Sequence, residues 1–408
     1  MPGFRLDRGG RIDRDRALRF SFDGKAYSGY KGDTLASALI ANGVSIIGRS
    51  FKLHRPRGII GSGDEEPNAI MQINRGALAE PNLRATQVEL YEGLEAYSTR
   101  GWPSVNFDVA AAINAFPKLF AAGFYYKTFM RPKALWHSYE RLIRGSAGFG
   151  SAPLAEDPDE YEHLNAHCDV LVAGAGPAGL AAAIAAGRSG ARVIVADEQS
   201  KLGGSLLAQG ESDDQSDIQR WLQSAIAELE SLTNVTVLPR ATVFGYYDHN
   251  FLAIAERCSD HLPQAERTGV RQRLWRVRAS RVISAQGAFE RPLVFCNNDR
   301  PGVMLASAVS SYIHRFGVSP GRRAVVFTNN DSAYRAALDL AGAGVTVAAI
   351  IDSRTSGAAS LGAEADERGI PILKGHLVDD VRGRKHISGV RIAAWNGDAS
   401  EPVSATIN

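Results

Sequence analysis

Val170-Leu171-Val172-Ala173-Gly174-Ala175-Gly176-Pro177-Ala178-Gly179 decides the fold of the larger part of this 408-residue chain. Val170 to Ala173 is a short apolar run that reads as a buried strand, and Pro177 to Gly190 continues as a helix. Between them stands G-x-G-x-x-G, in the strand-to-helix context that gives this common motif its meaning. Gly174 allows the tight turn, Gly176 lets the backbone approach a pyrophosphate with no Cβ in the way, and Gly179 lets the helix pack closely on the strand. A pyrophosphate there would meet the positive end of the helix dipole.

The helix leads to a second strand, Arg192 to Ala196, completing a βαβ unit over 169–198. Asp197 closes that strand eighteen positions after Gly179, where an acidic residue accepts hydrogen bonds from an adenosine ribose, and Glu198 is a neighbouring candidate. Carboxylates there repel a 2′-phosphate, so NAD or FAD is expected rather than NADP. Lys201-Leu202-Gly203-Gly204-Ser205 then supplies a glycine pair and a hydroxyl suited to closing over the pyrophosphate, or an ordinary loop.

Further along, Gln219 to Leu229 has helical spacing, with Ile218, Trp221, Leu222, Ala225 and Leu229 on one face. Strands are expected at Val235 to Leu238 and Val243 to Tyr246, with hairpin partners at Leu252 to Ile254 and Leu274 to Val277. A second βαβ unit, over 323–352, runs from Ala324-Val325-Val326-Phe327 through a helix, Ser332 to Ala343, to a strand, Val345 to Ile351. It lacks the fingerprint: Thr328 to Ala333 fills the turn, and Asp331 would put a negative charge where a phosphate should lie.

Upstream, Leu18 to Phe22 alternates, Asp23-Gly24 supplies a turn, and Ala26 to Tyr30 returns as a second strand. Asp33 is expected to cap a helix from Thr34 to Ala41. Two strands and then a helix is how a β-grasp begins, the fold of plant-type ferredoxins, on fold analogy alone. The basic loop Arg49 to Gly58 reads as an ion-pair network or as a grip for a phosphate or an acidic surface, with His54 a structural hydrogen-bonder. Aromatic runs follow at Trp102 to Ser104, Gly123 to Lys127 and Trp136 to Tyr139, suited to clamping neighbouring domains or to a subunit interface. Ala155 to Glu160 reads as a polar linker. Three segments result: a β-grasp module at 1–94, a connecting segment at 95–165 and a dinucleotide-binding domain at 166–408.

Lys+Arg 46 against Asp+Glu 44 leaves a net charge of +2, too little to steer a polyanion such as nucleic acid. The three cysteines, Cys168, Cys258 and Cys296, show no redox pair and no metal-site spacing, which fits a reduced cytoplasmic setting. Six arginines among the first twenty residues read as a solvated or interface-lining arm rather than a secretory signal. Val170 to Gly187 carries no charge, but four glycines and Pro177 argue for strand, turn and helix rather than a membrane span.

Gly174 to Gly179, Asp197-Glu198, Gly203-Gly204, Ser284 to Pro292, Asn298-Asp299-Arg300-Pro301-Gly302-Val303 and Thr328 to Tyr334 together resemble the α subunits of the heterotetrameric sarcosine oxidase family. Arg49-Ser50-Phe51-Lys52, His54 to Gly58 and Gly123 to Met130 are similar to them too, so the likeness covers nearly the whole chain. The resemblance implies an α/β fold: a Rossmann-like FAD/NAD(P)-binding domain of glutathione-reductase type behind a small ferredoxin-like module. It implies an oxidoreductase that demethylates sarcosine to glycine with oxygen, giving hydrogen peroxide and, with tetrahydrofolate, 5,10-methylenetetrahydrofolate. It implies a non-covalent NAD on this subunit, FAD and FMN held through a β subunit that binds sarcosine, and γ and δ subunits besides. Gly174, Gly176, Ala178 and Gly179 would line the NAD pyrophosphate and Asp197, Glu198 and Gln199 the ribose. Ser205 would close over the phosphates, and Val243 would contact adenine through the backbone.

No catalytic residue and no metal ligand is named, since the redox chemistry belongs to cofactors on a partner. Residues 1–150 contain no cysteine, so a thiolate-ligated cluster cannot form there and the module is expected to be cluster-less. The α subunits of the family continue well beyond the length of this chain, so truncation, an absent folate site and inactivity in isolation are expected. The rival readings are an opine or amino-acid dehydrogenase subunit, a self-sufficient FAD-dependent oxidoreductase, and a non-catalytic nucleotide-binding scaffold.

Overall fold

The computed structural model describes residues 3–115, 131–210, 213–395 and 405–407; the run Gly123 to Met130 lies outside them. The chain packs as two compact units, Pro158–Glu290 and Met1–Asp157 with Arg291–Asn408.

In the Pro158–Glu290 unit the strand that carries the glycine motif is long, Glu160–Ala173, and absorbs the end of the expected linker. It lies inside a six-stranded sheet of order Val235–Leu238, Val193–Ala196, Glu160–Ala173, Val270–Ser284, Phe251–Arg257, Ala241–Tyr247. The first four strands are parallel and the last two join antiparallel. The chain grows the sheet first to one side of Glu160–Ala173 and later to the other. That reversal opens a crevice at the carboxyl ends of Glu160–Ala173 and Val270–Ser284, where ligands of such sheets bind.

The Pro177–Arg188 helix starts with Pro177 in its first turn, where the missing N–H is no loss, and buries Leu180, Ala183 and Ile184. The Asp213–Ser231 helix buries Leu222, Ala225 and Leu229 in the same core. Trp221, expected on that face, is 42% exposed, because a residue next to Leu222 points about 100° away around the helix.

The other unit holds the β-grasp. Its five-stranded sheet runs Lys25–Lys31, Asp13–Phe22, Leu94–Ser98, Ile70–Ile73, Glu80–Arg84, with Asp13–Phe22 and Leu94–Ser98 parallel. The Leu35–Ala41 helix is capped by Thr34, in a reciprocal box with Ser37, rather than by Asp33. Asp33 is fully buried and instead accepts from Ser37 Oγ (2.6 Å) and from Arg5 (2.6 Å). Arg5 also reaches Phe316 O (2.7 Å), and Phe4 and Leu6 hydrogen-bond to Ala41 and Gly317. The start of the arginine-rich arm is therefore pinned rather than solvated.

Residues 291–408 pack with this module, a division different from the expected single domain over 166–408. The Ala306–Phe316 helix explains it: Ala308, Tyr312 and Phe316 enter the β-grasp core. Val309 and Ile313 on its other side enter the core of the second βαβ unit, beside Tyr334, Leu338 and Ile350. That unit is a parallel sheet of Arg323–Thr328, Thr346–Asp352 and Ile372–Lys374, followed by an antiparallel sheet of His376–Gly383, Ile387–Ala394 and Ala405–Ile407.

The loop between Gly58 and Ala69 closes around one side chain. Glu66 is completely buried, its Oε2 accepting from the amides of Ile60 (2.6 Å) and Gly61 (2.7 Å) and its Oε1 from Asn68 (2.6 Å) and Ala69 (3.0 Å). Burial raises the carboxyl pKa and these four N–H groups oppose the rise. Glu66→Ala, which strips four amides of their acceptor, is expected to cost at least about 3 kcal/mol in urea denaturation followed by circular dichroism. Glu66→Gln should fall between it and the wild type, because an NH2 group then faces two donors; unchanged midpoints for both variants would show that the loop does not depend on Glu66.

Candidate nucleotide site

The site forms where the Glu160–Ala173 strand turns into the Pro177–Arg188 helix. Gly174 has φ 98°, and a Cβ there would fall 2.5 Å from Ala285 O. A Cβ on Gly179 would fall 1.9 Å from Gly174 O, inside the turn itself. Gly176 differs: its φ of −71° and ψ of −173° suit any residue, and a Cβ would meet nothing nearer than Gly204 Cα at 3.9 Å. Gly174 and Gly179 are thus required by the fold, whereas the bare Gly176 leaves room for a group that arrives from outside. The N–H groups of Ala178 and Gly179 belong to the first helical turn and have no acceptor within the helix. This is a fitting cradle for a dinucleotide pyrophosphate.

Asp197 is 8% exposed and ties the turn together. Its Oδ2 accepts from Ala175 N (2.6 Å) and its Oδ1 from Gln199 N (2.8 Å). Its own amide donates to Leu238 O (3.0 Å) and its carbonyl accepts from Ala241 N (2.7 Å). Glu198, half-buried, follows at the rim, with its carbonyl held by Arg257 Nη2 (2.7 Å), and the Gln199 carbonyl accepts from Arg240 N (3.0 Å). Gly203 N donates to Ala175 O (2.9 Å), which docks the Gly203–Gly204 loop on the glycine turn and leaves Ser205 exposed beside it. Val243 lies on the Ala241–Tyr247 strand, opposite Ile254 and two residues beyond the amide that bonds Asp197.

One wall comes from the Ser284 to Pro292 run, which the sequence offered only as part of the family resemblance and to which it gave no place at the site. Ala285 N donates to Ala173 O (2.8 Å), and Ala285 and Gln286 pack against Gly174. Its place at the site follows from the sheet order, because Val270–Ser284 pairs with Glu160–Ala173 from more than a hundred residues away in sequence.

The titratable groups near the strand offer no activated nucleophile. Burial, with Asp169 alongside, pushes the Cys168 thiol up to about 11, so it stays protonated at neutral pH. The Asp169 carboxyl is held down to about 2 by hydrogen bonds from Arg192, a clasp between the Glu160–Ala173 strand and the residue just before Val193–Ala196. Among the described residues, no group of three or more His, Cys, Asp and Glu side chains is placed to hold a metal ion. No described helix is long and apolar enough to cross a membrane.

The turn of the second βαβ unit is occupied by its own side chains. Thr328 Oγ1 accepts from Asn330 N (3.0 Å), and Asp331 pairs with Arg354 (2.8 Å) and accepts from Ala358 N (3.0 Å). In the basic loop, Arg55 bonds Asn297 (2.8 Å) and Asp299 (2.6 Å), and Arg57 pairs with Asp299 as well. His54 Nδ1 meets Asp108 Oδ2 at 2.7 Å in a buried pair, as expected of a structural histidine.

The fold and this turn define a Rossmann-type unit of the nucleotide-binding class, accompanied by a ferredoxin-like β-grasp module. Residues 169–268 match the family described as FAD dependent oxidoreductase, and residues 15–101 the family described as 2Fe-2S iron-sulfur cluster binding domain. Over 394 residues, 96% of the chain, the sequence is 49% identical to the sarcosine oxidase alpha subunit of Rhizobium meliloti (strain 1021). It is 40% identical over 95% of the chain to the protein of the same name from Corynebacterium sp. (strain P-1). Nearly the whole chain is therefore similar to sarcosine oxidase alpha subunits, while spanning 39% and 36% of the lengths of these two relatives. An opine oxidase subunit of Agrobacterium tumefaciens (strain Ach5) is 32% identical over 46% of the chain and 37% of that protein. In fold, the chain is similar to L-proline dehydrogenase from P. horikoshii, with a TM-score of 0.58 at 18% identity, over 99% of this chain and 61% of that one.

The cluster that the second family description names does not fit this module. No cysteine lies in residues 1–150, and the amides of Ile60, Gly61, Asn68 and Ala69 are already taken by Glu66.

The contrast among the glycines is testable. Gly176→Ala is expected to unfold within about 1 kcal/mol of the wild type and to lose at least about tenfold in dinucleotide affinity. Gly179→Ala should lose about 1–3 kcal/mol or more of stability. Thermal unfolding with calorimetric titration of NAD and FAD separates the two, and equal stability losses would remove the distinction.

Proposed function

We propose that this chain is the nucleotide-holding part of the α subunit of a sarcosine oxidase and that the nucleotide is NAD. The observation that carries the proposal is the intact turn, with an open Gly176 above free helix N–H groups, in a chain 49% identical to a sarcosine oxidase alpha subunit. In the assembly we propose, sarcosine bound on a β subunit is oxidatively demethylated to glycine. FAD and FMN held through that subunit supply the electron transfer to oxygen, with hydrogen peroxide as product. Tetrahydrofolate takes the one-carbon unit as 5,10-methylenetetrahydrofolate, and γ and δ subunits complete a cytoplasmic heterotetramer.

Within this chain, Gly174, Gly176, Ala178 and Gly179 line the pyrophosphate, whose charge the first-turn N–H groups meet. Glu198 and Gln199 take the ribose, with Asp197 setting their position from beneath while it remains within reach of the same hydroxyls. Ser205 closes over the phosphates and the Val243 backbone meets the adenine. No side chain of this chain is given a proton-transfer or nucleophilic role. The exposed rings of Trp102, Phe107 and Trp136 support a subunit interface for the aromatic segment.

A second reading, FAD in the same turn, is favoured by the family match over residues 169–268. Mass spectrometry of nucleotide released from the protein co-expressed with its partner subunits decides between them. NAD from this subunit is expected, and FAD from it alone would transfer the assignment to a self-sufficient flavoprotein. The two acidic residues are also separable: Glu198→Gln should weaken NAD binding without moving the unfolding midpoint. Asp197→Asn should lower both, with a stability loss of about 1–3 kcal/mol, because its NH2 faces a backbone donor. Identical behaviour of the two variants would sink this division of labour.

A further inference from the structure

The segment Asp197-Glu198-Gln199 at the edge of the nucleotide turn is gripped from a second direction by Arg257, the last residue of the Phe251–Arg257 strand. Arg257 Nη2 donates to Glu198 O (2.7 Å), and the Arg257 amide donates to Arg240 O (2.9 Å). Arg240 in turn donates its own amide to Gln199 O (3.0 Å). One arginine thus reaches both carbonyls of the segment: Glu198 through its side chain, and Gln199 through the Pro239-Arg240 turn that joins Val235–Leu238 to Ala241–Tyr247.

Two features mark this clasp as more than strand pairing. Arg240 sits at φ 56°, in the left-handed region where glycine costs least, and a residue with a side chain stays there only when its surroundings hold it. The bonds to Gln199 and from Arg257 do so. Arg257, for its part, needs only its main chain to pair with Gln272 across the sheet, yet its side chain places a charged donor on a carbonyl 59 residues back. Asp260 attracts the Arg257 charge and is itself fixed by Arg271 Nε (2.6 Å) and Gln272 Nε2 (2.7 Å). Glu198 O and Gln199 N are the two polar ends of one planar peptide group. Asp197 Oδ1 holds the N–H end at 2.8 Å and Arg257 the C=O end at 2.7 Å. With both ends held the plane cannot swing, and the Glu198 and Gln199 side chains that leave from either side of it keep one direction.

We propose that Arg257 is a positioning residue for the adenosine end of the bound dinucleotide: by fixing the carbonyl end of the Glu198–Gln199 peptide, it aims those two side chains at the ribose. This rests on the nucleotide reading of the site, but on the adenosine that NAD and FAD share rather than on the choice between them. Arg257 touches no ligand itself. A supporting group of this kind sets affinity because a binding side chain displaced by a fraction of an ångström loses its hydrogen bond.

The test is calorimetric titration of the nucleotide-free full chain with ADP, which carries adenosine and a pyrophosphate, and with inorganic pyrophosphate, which meets the glycine turn alone. Arg257→Met should weaken ADP by about tenfold or more, the loss expected for one charge-assisted hydrogen bond, and leave inorganic pyrophosphate unchanged. Arg257→Lys, which keeps the charge and one donor group, should recover part of the ADP affinity. In a Glu198→Gln background Arg257→Met should cost less than it does alone, because it acts through a side chain that is already altered. Should Arg257→Met fail to fold, Arg257→Lys reads the same split between the two probes. The proposal is overturned by ADP affinity that the Arg257 variants leave unchanged, by equal losses for ADP and pyrophosphate, or by losses that simply add to that of Glu198→Gln. Tighter binding of FAD than of NAD by the wild type would overturn the choice of NAD and leave this test standing, whereas a wild type that binds no ADP overturns both.

Discussion

A buried carboxylate that gathers backbone N–H groups organises each unit. In the nucleotide unit it is Asp197, which draws the Ala175 amide inward and pins Gln199, so that the next amides along the chain, at the start of the helix, face the crevice. In the β-grasp it is Glu66, with two amides on each oxygen. Loops that turn sharply cannot satisfy their own donors, and an anion with several lone pairs does so with the strongest hydrogen bonds available to the main chain. The difference in outcome lies in what remains unsatisfied: Glu66 and its neighbour Glu65 together take six amides of their loop, whereas the Asp197 side chain takes two at the turn and leaves those of the first helical turn.

The glycine turn was legible in the sequence because its meaning is local. A strand of four apolar residues, three glycines at fixed spacing and Pro177 in the first turn are all read within ten residues, and the structure puts each element there. The same locality explains the hairpin of Phe251–Arg257 with Val270–Ser284, in which the expected segments pair, Leu252 opposite Val277. Where residue type alone was used to choose between neighbours, the structure chose differently. Thr34 rather than Asp33 caps the first helix, because Asp33 is claimed by Arg5 from the terminal arm.

Non-local features were not readable in that way. The Ala285–Gln286 wall of the site depends on which strand lies beside Glu160–Ala173, a fact of sheet order with no signal in spacing. The grouping of residues 291–408 with the N-terminal module depends on one helix, Ala306–Phe316, whose apolar residues cover more than one stripe. A helix apolar on two sides must serve two cores, but its sequence does not say which. The basic loop had the opposite problem: its charge was evident, yet only the fold shows that Arg55 and Arg57 share Asp299 while Arg49 and Arg100 donate to main-chain carbonyls.

The lack of cysteine in residues 1–150, together with the amides that Glu66 gathers in its loop, bears on what a ferredoxin-like module can do in an oxidoreductase. A β-grasp of this kind moves electrons only through its cluster, and here the loop amides are bound to a carboxylate that has no redox chemistry. Without thiolate ligands in residues 1–150 the module is left with its surface, which can bind but not transfer electrons. In the nucleotide unit, burial likewise holds the thiol of Cys168 protonated. What the described residues of both units share is main-chain N–H groups gathered by a buried carboxylate, and such donors orient a ligand rather than exchange electrons with it.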